Sequence, residues 1–235
     1  MSKKIQFFIF PYAGGSAVSL KLFIDMIYEE VDVVAVEYPG RGSRSKENFL
    51  NSFSDMIEDA ADFCCNHRDD RLPYALMGYS MGSIIAYEIM IRGGIIGDLK
   101  HFFAAAEISP KYRSEEFCSI GILTDEMIIE RMNGFGGIDS ALLKNPRFSS
   151  IFLKPAISDY KHLLSYRFNN TNKKVSVNAS FLYSEKDTGI DKVKKWEELL
   201  DGSFDYHEMG HDHFFINRHY GEMAEIVNEH LKKYI

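Results

Sequence analysis

Gly78-Tyr79-Ser80-Met81-Gly82 decides how the rest of the chain is read. The residues before it, Leu72-Pro73-Tyr74-Ala75-Leu76-Met77, have the apolar continuity of a buried strand. From Gly82 to Arg92, Ile84, Ile85, Ile89 and Met90 recur at helical spacing. Ser80 therefore sits in a strand-to-helix turn. Gly-x-Ser-x-Gly in that setting is a nucleophile elbow: the turn is too tight for side chains at its flanks, and the serine hydroxyl is pushed out at the carboxyl end of the sheet. The pattern alone recurs by chance; the strand before it and the helix after it give it weight.

Working outward, Ile5-Gln6-Phe7-Phe8-Ile9-Phe10 reads as a strand stopped by Pro11. A glycine-rich turn, Tyr12-Ala13-Gly14-Gly15-Ser16, follows it, and then Ala17, Leu20, Phe23, Ile24 and Ile27 recur with helical period. Two glycines in such a turn leave backbone N–H groups free to face an anion. No Gly-Lys-Ser/Thr follows, so this is no nucleotide phosphate loop, and an ordinary turn is the plainer alternative. Residues 31–36 are nearly all apolar and β-branched, as in a parallel strand covered on both faces. They end in a loop, Glu37-Tyr38-Pro39-Gly40-Arg41-Gly42. Phe53, Ile57, Ala60, Ala61 and Cys64 stripe one helix face, with Ser52 or Ser54 as its cap. Residues 99–106 and 179–184 are further core strands. Residues 203–209 alternate more, as near a sheet edge, and Met223, Ile226, Val227, Leu231 and Tyr234 line a closing helix.

Strand and helix alternate without internal repeat, which predicts an α/β fold: a doubly wound, mostly parallel sheet in one domain spanning residues 1–235. Residues 108–168 interrupt the rhythm. They carry helical stretches at 125–132 and 150–165 and a break at Gly134-Phe135-Gly136-Gly137. Their position predicts an inserted helical lid over the carboxyl edge of the sheet. Phe117, Met127, Ile128, Met132, Phe135, Phe148, Phe152 and Leu153 offer apolar surface to an acyl group, or serve a purely structural cap.

Composition narrows the classes. With 46% hydrophobic residues the chain reads as globular, and its apolar runs are too short to span a bilayer. The start, Met1-Ser2-Lys3-Lys4, leads into a strand without a cleavage site, and Cys64, Cys65 and Cys118 form no disulfide framework, so a cytoplasmic location is expected. A formal charge of −7 argues against nucleic acid as partner. An acidic partner would need a local basic patch, for which Arg41, Arg44 and Lys46 are the early candidates, with a solvated loop as the alternative.

A serine hydroxyl needs a base, and the base an orienting acid. The strand at 179–184 runs into Glu185-Lys186-Asp187-Thr188-Gly189, and that at 203–209 into Gly210-His211-Asp212-His213-Phe214-Phe215. Both lie in the chain order serine, acid, histidine. Asp187 is favoured over Glu185 because a shorter side chain further into the loop has the better reach; His211 and His213 compete for the base. His207, His211 and His213 lack the companions of a recognised metal motif. An acyl-transfer oxyanion would be held by the N–H groups of Met81 and of Ala13 in the glycine-rich turn.

With these blocks in view, the sequence resembles the type II thioesterases of nonribosomal peptide and polyketide synthases, relatives of the medium-chain fatty acyl thioesterases within the α/β hydrolases. The resemblance rests on Phe10-Pro11-Tyr12-Ala13-Gly14-Gly15-Ser16-Ala17, Glu37-Tyr38-Pro39-Gly40-Arg41-Gly42, the elbow, Leu123-Thr124-Asp125-Glu126, Asp187 and His213-Phe214-Phe215. Gly136-Gly137, Asn145-Pro146 and Pro155 add to it. It implies a Ser80–His213–Asp187 triad, with the paired phenylalanines anchoring the match on His213. It also implies a monomer without cofactor, removing acyl groups from the phosphopantetheine arm of carrier domains. The chain departs from the pattern at two places: Tyr79 stands where the family usually has histidine, and Gly210-His211-Asp212 precedes the last histidine where Gly-Gly or Gly-Asp is usual. A stand-alone carboxylesterase or lipase, and a binding module without catalysis, are the competing readings.

Overall fold

The computed structural model describes residues 2–95, 97–135, 146–169 and 174–235. Its six-stranded sheet has the order β2-β1-β3-β4-β6-β8, and every pairing in it is parallel. The strands are β1 (Ile5–Phe10), β2 (Val31–Ala35), β3 (Tyr74–Tyr79), β4 (Leu99–Ala105), β6 (Ala179–Tyr183) and β8 (Phe204–Glu208). Two short strands, β5 (Val175–Ser176) and β7 (Leu200–Asp201), pair apart from it. Every residue of β1, β3 and β6 is buried, as their largely apolar runs require, the polar Gln6 and Ser180 included.

The chain leaves β1 for β2 on one side and then returns to place β3 on the other. The turns after β1 and β3 therefore diverge at a topological switch point, where parallel sheets open a crevice at their carboxyl ends. Two apolar clusters flank the sheet. One packs α2 (Phe53–His67) and α3 (Met81–Arg92) against it, and the other packs α1 (Lys21–Ile24) and the closing α9 (Ile216–Leu231). Ser52 is the cap of α2, its side chain accepting from Asp55 N–H.

Two local expectations change. The segment after the glycine-rich turn is a 3₁₀ turn, Ala17–Leu20, followed by only four α-helical residues, although Leu20, Phe23 and Ile27 are buried as the period demands. β2, read as covered on both faces, is the sheet edge and mostly half-buried. The short α1 covers less of it than a full helix would, and β-branched residues suit an edge strand as well as a central one. β8 takes the opposite edge, as its alternation implied.

Between β4 and β6 the described residues of the insertion form α4 (Pro110–Cys118), α5 (Asp125–Gly134), α6 (Pro146–Phe148), a π-helical turn (Ser149–Leu153) and α7 (Lys154–Ser165). Gly136, Gly137 and Asn145 lie outside the described residues. Part of the apolar surface expected to meet an acyl chain also holds these helices to one another, while Phe117, Met132 and Phe135 line the space beside Ser80. Ile128, Met132, Ala156 and Tyr160 form a core of the insertion, while Phe117 joins the main core and Met127 faces solvent.

Behind the sheet, His101 of β4 is 4% exposed; its Nε2 lies 2.8 Å from Ser180 Oγ, which lies 3.1 Å from His230 Nε2. Burial, reinforced by His230, Lys233 and His207, pushes His101 down to about 3. Burial also lowers His207 and His230, against the opposing pull of Asp205. A folded-state value below the unfolded 6.5 means the stabilisation is complete above pH 6.5 and is lost as pH falls toward 3. His101 alone should contribute a slope of about 1.4 kcal/mol per pH unit well below its unfolded value. Urea unfolding at pH 7 and pH 5 should show this loss, and His101→Gln should flatten it.

Candidate active site

The elbow is a backbone construction. Ser80 has φ 50° and ψ −122°, off the usual regions for a residue with a side chain. Ser80 N–H donates to Ala105 O at 2.7 Å, and Ser83 Oγ donates to Gly78 O at 2.7 Å. A methyl at Gly82 would fall on the Phe10 carbonyl and one at Gly78 on the Ser83 backbone, so both flanks must be glycine. Ser80 is thereby aimed out of the switch-point crevice.

Two loops meet it there. After β6, the N–H groups of Asp187, Thr188 and Gly189 all donate to Ser184 O at 3.0–3.1 Å, curling the loop so that Asp187 turns inward. Glu185 turns away and accepts from Ile190 N–H at 3.2 Å. After β8, His213 Nδ1 lies 2.8 Å from Asp187 Oδ2 and its Nε2 lies 2.9 Å from Ser80 Oγ. His211 is exposed, with φ 61°, and packs on His219. The segment is a turn and not the extended run that would alternate the two side chains, yet it separates them. The three histidines also go three ways, His207 packing beside His230, His211 on the surface and His213 in the site. Among the described residues no cluster of three or more potential ligands could hold a metal.

Tyr79 does more than the sequence reading assigned to it. Fully buried, it donates from its hydroxyl to His213 O at 2.6 Å and accepts from Ile216 N–H at 3.3 Å. Its ring packs on Phe215, so the Phe214-Phe215 pair does seat the histidine loop beneath the elbow. The only signal was the replacement of the family's usual histidine by a residue with a longer reach. Ser184 Oγ adds a second tie, donating to His211 O at 2.5 Å.

A cavity of about 140 Å³ opens beside Ser80. Phe135, at the end of α5, covers His213 with ring centroids 5.0 Å apart. The opposite wall is charged. Glu107 Oε1 accepts from Arg113 Nε at 2.6 Å, and Glu116 joins Arg113 to Lys192 at 2.7 and 2.8 Å. Burial raises the Glu107 carboxyl above its ordinary value, against the pull of Arg113. The site is thus ionic on this side and apolar on the other, where Met132, Phe135, Tyr160, Leu163 and Phe214 line the space against Ser80 and His213.

The expected basic patch is not present at the surface. Arg41 is 4% exposed and pairs with Asp159 of α7, while Arg44 is engaged by Glu47 and Asp59; only Lys46 of the three is exposed and without such a tie among the hydrogen bonds and ion pairs of the described residues. A buried cation must be paired, and the carboxylates that pair these two arrive from distant parts of the chain.

A serine, histidine and carboxylate hydrogen-bonded in this order, at the carboxyl end of a parallel sheet, have the arrangement found in serine hydrolases of the α/β class. The family model described as a thioesterase domain matches residues 5–233, and the chain belongs to that family. It is 24% identical to the gramicidin S biosynthesis protein GrsT of Aneurinibacillus migulanus over 97% of this chain and 90% of that protein. It is also 24% identical to the medium-chain S-acyl fatty acid synthase thioesterase of Rattus norvegicus, over 88% of this chain and 80% of that one. The solved structure of the type II thioesterase BorB from the borrelidin biosynthetic cluster superposes with a TM-score of 0.81 at 24% identity, covering 97% of this chain and 92% of that one.

Removing the Tyr79 hydroxyl leaves the His213 carbonyl and the Ile216 N–H without their buried partner. Tyr79→Phe should lower stability by about 1–3 kcal/mol and slow fluorophosphonate labelling of Ser80 without abolishing it. His213→Ala should abolish labelling, and His211→Ala should leave it within about tenfold of the parent. Time-resolved labelling followed by intact-mass measurement checks all three.

Proposed function

We propose that this protein is a serine thioesterase that removes acyl groups from the phosphopantetheine arm of carrier domains in a peptide, polyketide or fatty acid synthase. The observation that carries the reading is the unbroken chain from Ser80 Oγ through His213 to Asp187, at 2.9 and 2.8 Å, in a member of the thioesterase family. The likeness to a gramicidin S biosynthesis protein and to a fatty acid synthase thioesterase supports the substrate class.

His213 Nε2 takes the Ser80 proton as Oγ attacks the thioester carbonyl, and Asp187 steadies the imidazolium that forms. The N–H groups of Met81 and Ala13 receive the oxyanion; Ala13 lines the site with Ser80 and His213, and Gly14 and Gly15 do not compete, since both donate elsewhere. Collapse expels the pantetheine thiolate, which takes up the proton, and leaves acyl-Ser80. Water, deprotonated by His213, then releases the carboxylic acid and restores the serine. A thiolate leaves readily, so little acid catalysis is required, and the protein itself needs no cofactor. Residues 108–168 act as a lid over the site of this single domain. No helix among the described residues is long and apolar enough to cross a membrane. On this proposal the protein works as a cytoplasmic monomer beside its synthase.

Ser80→Ala should keep the fold and lower turnover of an acyl-carrier protein by about 10⁴- to 10⁶-fold. Assays should pair acyl-carrier protein with the matching acyl-pantetheine and with a short oxygen ester. Preference for the thioesters is expected; equal rates on the oxygen ester would make it an esterase. Turnover by Ser80→Ala within tenfold of the parent would sink the assignment.

A further inference from the structure

The glycine-rich turn that carries Ala13 is held by the lid. Asp159 lies on α7, is 1% exposed, and accepts from Gly14 N–H through Oδ2 at 2.8 Å. The same carboxylate receives the Arg41 guanidinium in a fork, Nη2 to Oδ1 at 2.6 Å and Nη1 to Oδ2. Arg41 Nη1 also reaches Gly15 O at 3.4 Å, and its guanidinium lies over the Tyr38 ring, whose hydroxyl donates to Pro11 O at 3.2 Å. Gly14 has φ 78°, and a methyl there would collide with Ala156 of the same helix, so α7 rests directly on the turn. One helical step on, Tyr160 and Leu163 line the cavity beside Ser80 and Phe135.

We propose that Asp159, clamped to Arg41, is a positioning residue that makes the oxyanion-binding turn depend on the seating of lid helix α7. This rests on the reading of Ala13 as an oxyanion donor. A forked, buried ion pair has a narrow range of geometry. With α7 seated, it fixes the Gly14 amide and through it the direction of the preceding peptide. An acyl group that lets Tyr160 and Leu163 pack leaves the turn in register, and one that lifts α7 pulls Gly14 with it. Misplacing a catalytic donor by about 1 Å costs on the order of 10²-fold in rate. The lid would thereby act on turnover as well as on entry.

The test compares the parent protein, Asp159→Asn, and the double variant Arg41→Met with Asp159→Leu, which removes both buried charges together and avoids leaving either unpaired. Turnover of acetyl-pantetheine by the parent and its loss in Ser80→Ala test the hydrolase reading separately. In the double variant kcat should fall about 10²-fold, with KM within threefold and the pH midpoint of kcat/KM unmoved. Inhibition by butylboronic acid, whose tetrahedral adduct on Ser80 needs the same donors, should weaken in parallel. Asp159→Asn, which keeps an acceptor for Gly14, should recover part of the loss. Parent-like kcat in a cooperatively folded double variant, or a loss confined to KM, would overturn the proposal. Should the variants not fold, hydrogen exchange on the parent decides: butylboronic acid should slow exchange in residues 11–16 and 154–165 together, and protection of the helix without the turn would overturn it.

Discussion

The elbow and the end of β1 share a space that admits no side chain. Gly82 lies against the Phe10 carbonyl, and Gly78 lies against the backbone that opens α3. This contact brings the turn after β3 and the turn after β1 to one point, at the place where the sheet's winding reverses. The positive φ of Ser80 is a cost accepted there, offset by the N–H bond to Ala105 and by the fully buried α3 face behind it. A larger residue at either glycine would displace the serine from His213 Nε2.

Around that point the other two members of the relay are held by main-chain atoms. Ser184 O gathers three N–H groups to turn Asp187 inward, Ser184 Oγ ties down His211 O, and Tyr79 ties down His213 O. Tethers of this kind fix where a side chain starts without touching its reactive end, so the imidazole keeps both nitrogens for Ser80 and Asp187. The insertion completes the enclosure from outside. Phe135 covers the imidazole, and Asp159 reaches past it to the turn carrying Ala13.

Charge is distributed by the same logic of burial. Arg41 is buried and Arg113 half-buried beside carboxylates, and each links an insertion helix to the body of the fold. Arg41 joins the loop after β2 to α7, while Arg113 of α4 joins Glu107, two residues past the end of β4, and, through Glu116 and Lys192, the short α8 (Ile190–Val193). Cations that look available in a net acidic sequence are thus spent on internal pairing, and that is why the cluster at Arg41 and Arg44 offers little to a partner.

By itself the sequence determined the sheet's parallel core, the elbow and the candidate set for the relay. The first follows from largely apolar runs such as 5–10 and 74–79, and the second from glycines at a turn where nothing larger fits. It placed Asp187 and the paired phenylalanines by order along the chain. Local pattern could not decide which strands stand at the edges, for β2 has the residues of a central strand and lacks only a neighbour. Nor could it decide that Arg41 is buried, that Tyr79 holds the histidine loop, or that Ile128 and Met132 pack on Ala156 and Tyr160. Each of these turns on partners far apart in the chain, 145 positions between Gly14 and Asp159 and 134 between Tyr79 and His213. Hydrophobic period and turn chemistry report on a window of a dozen residues, and only the closed fold sets such pairs within hydrogen-bonding distance.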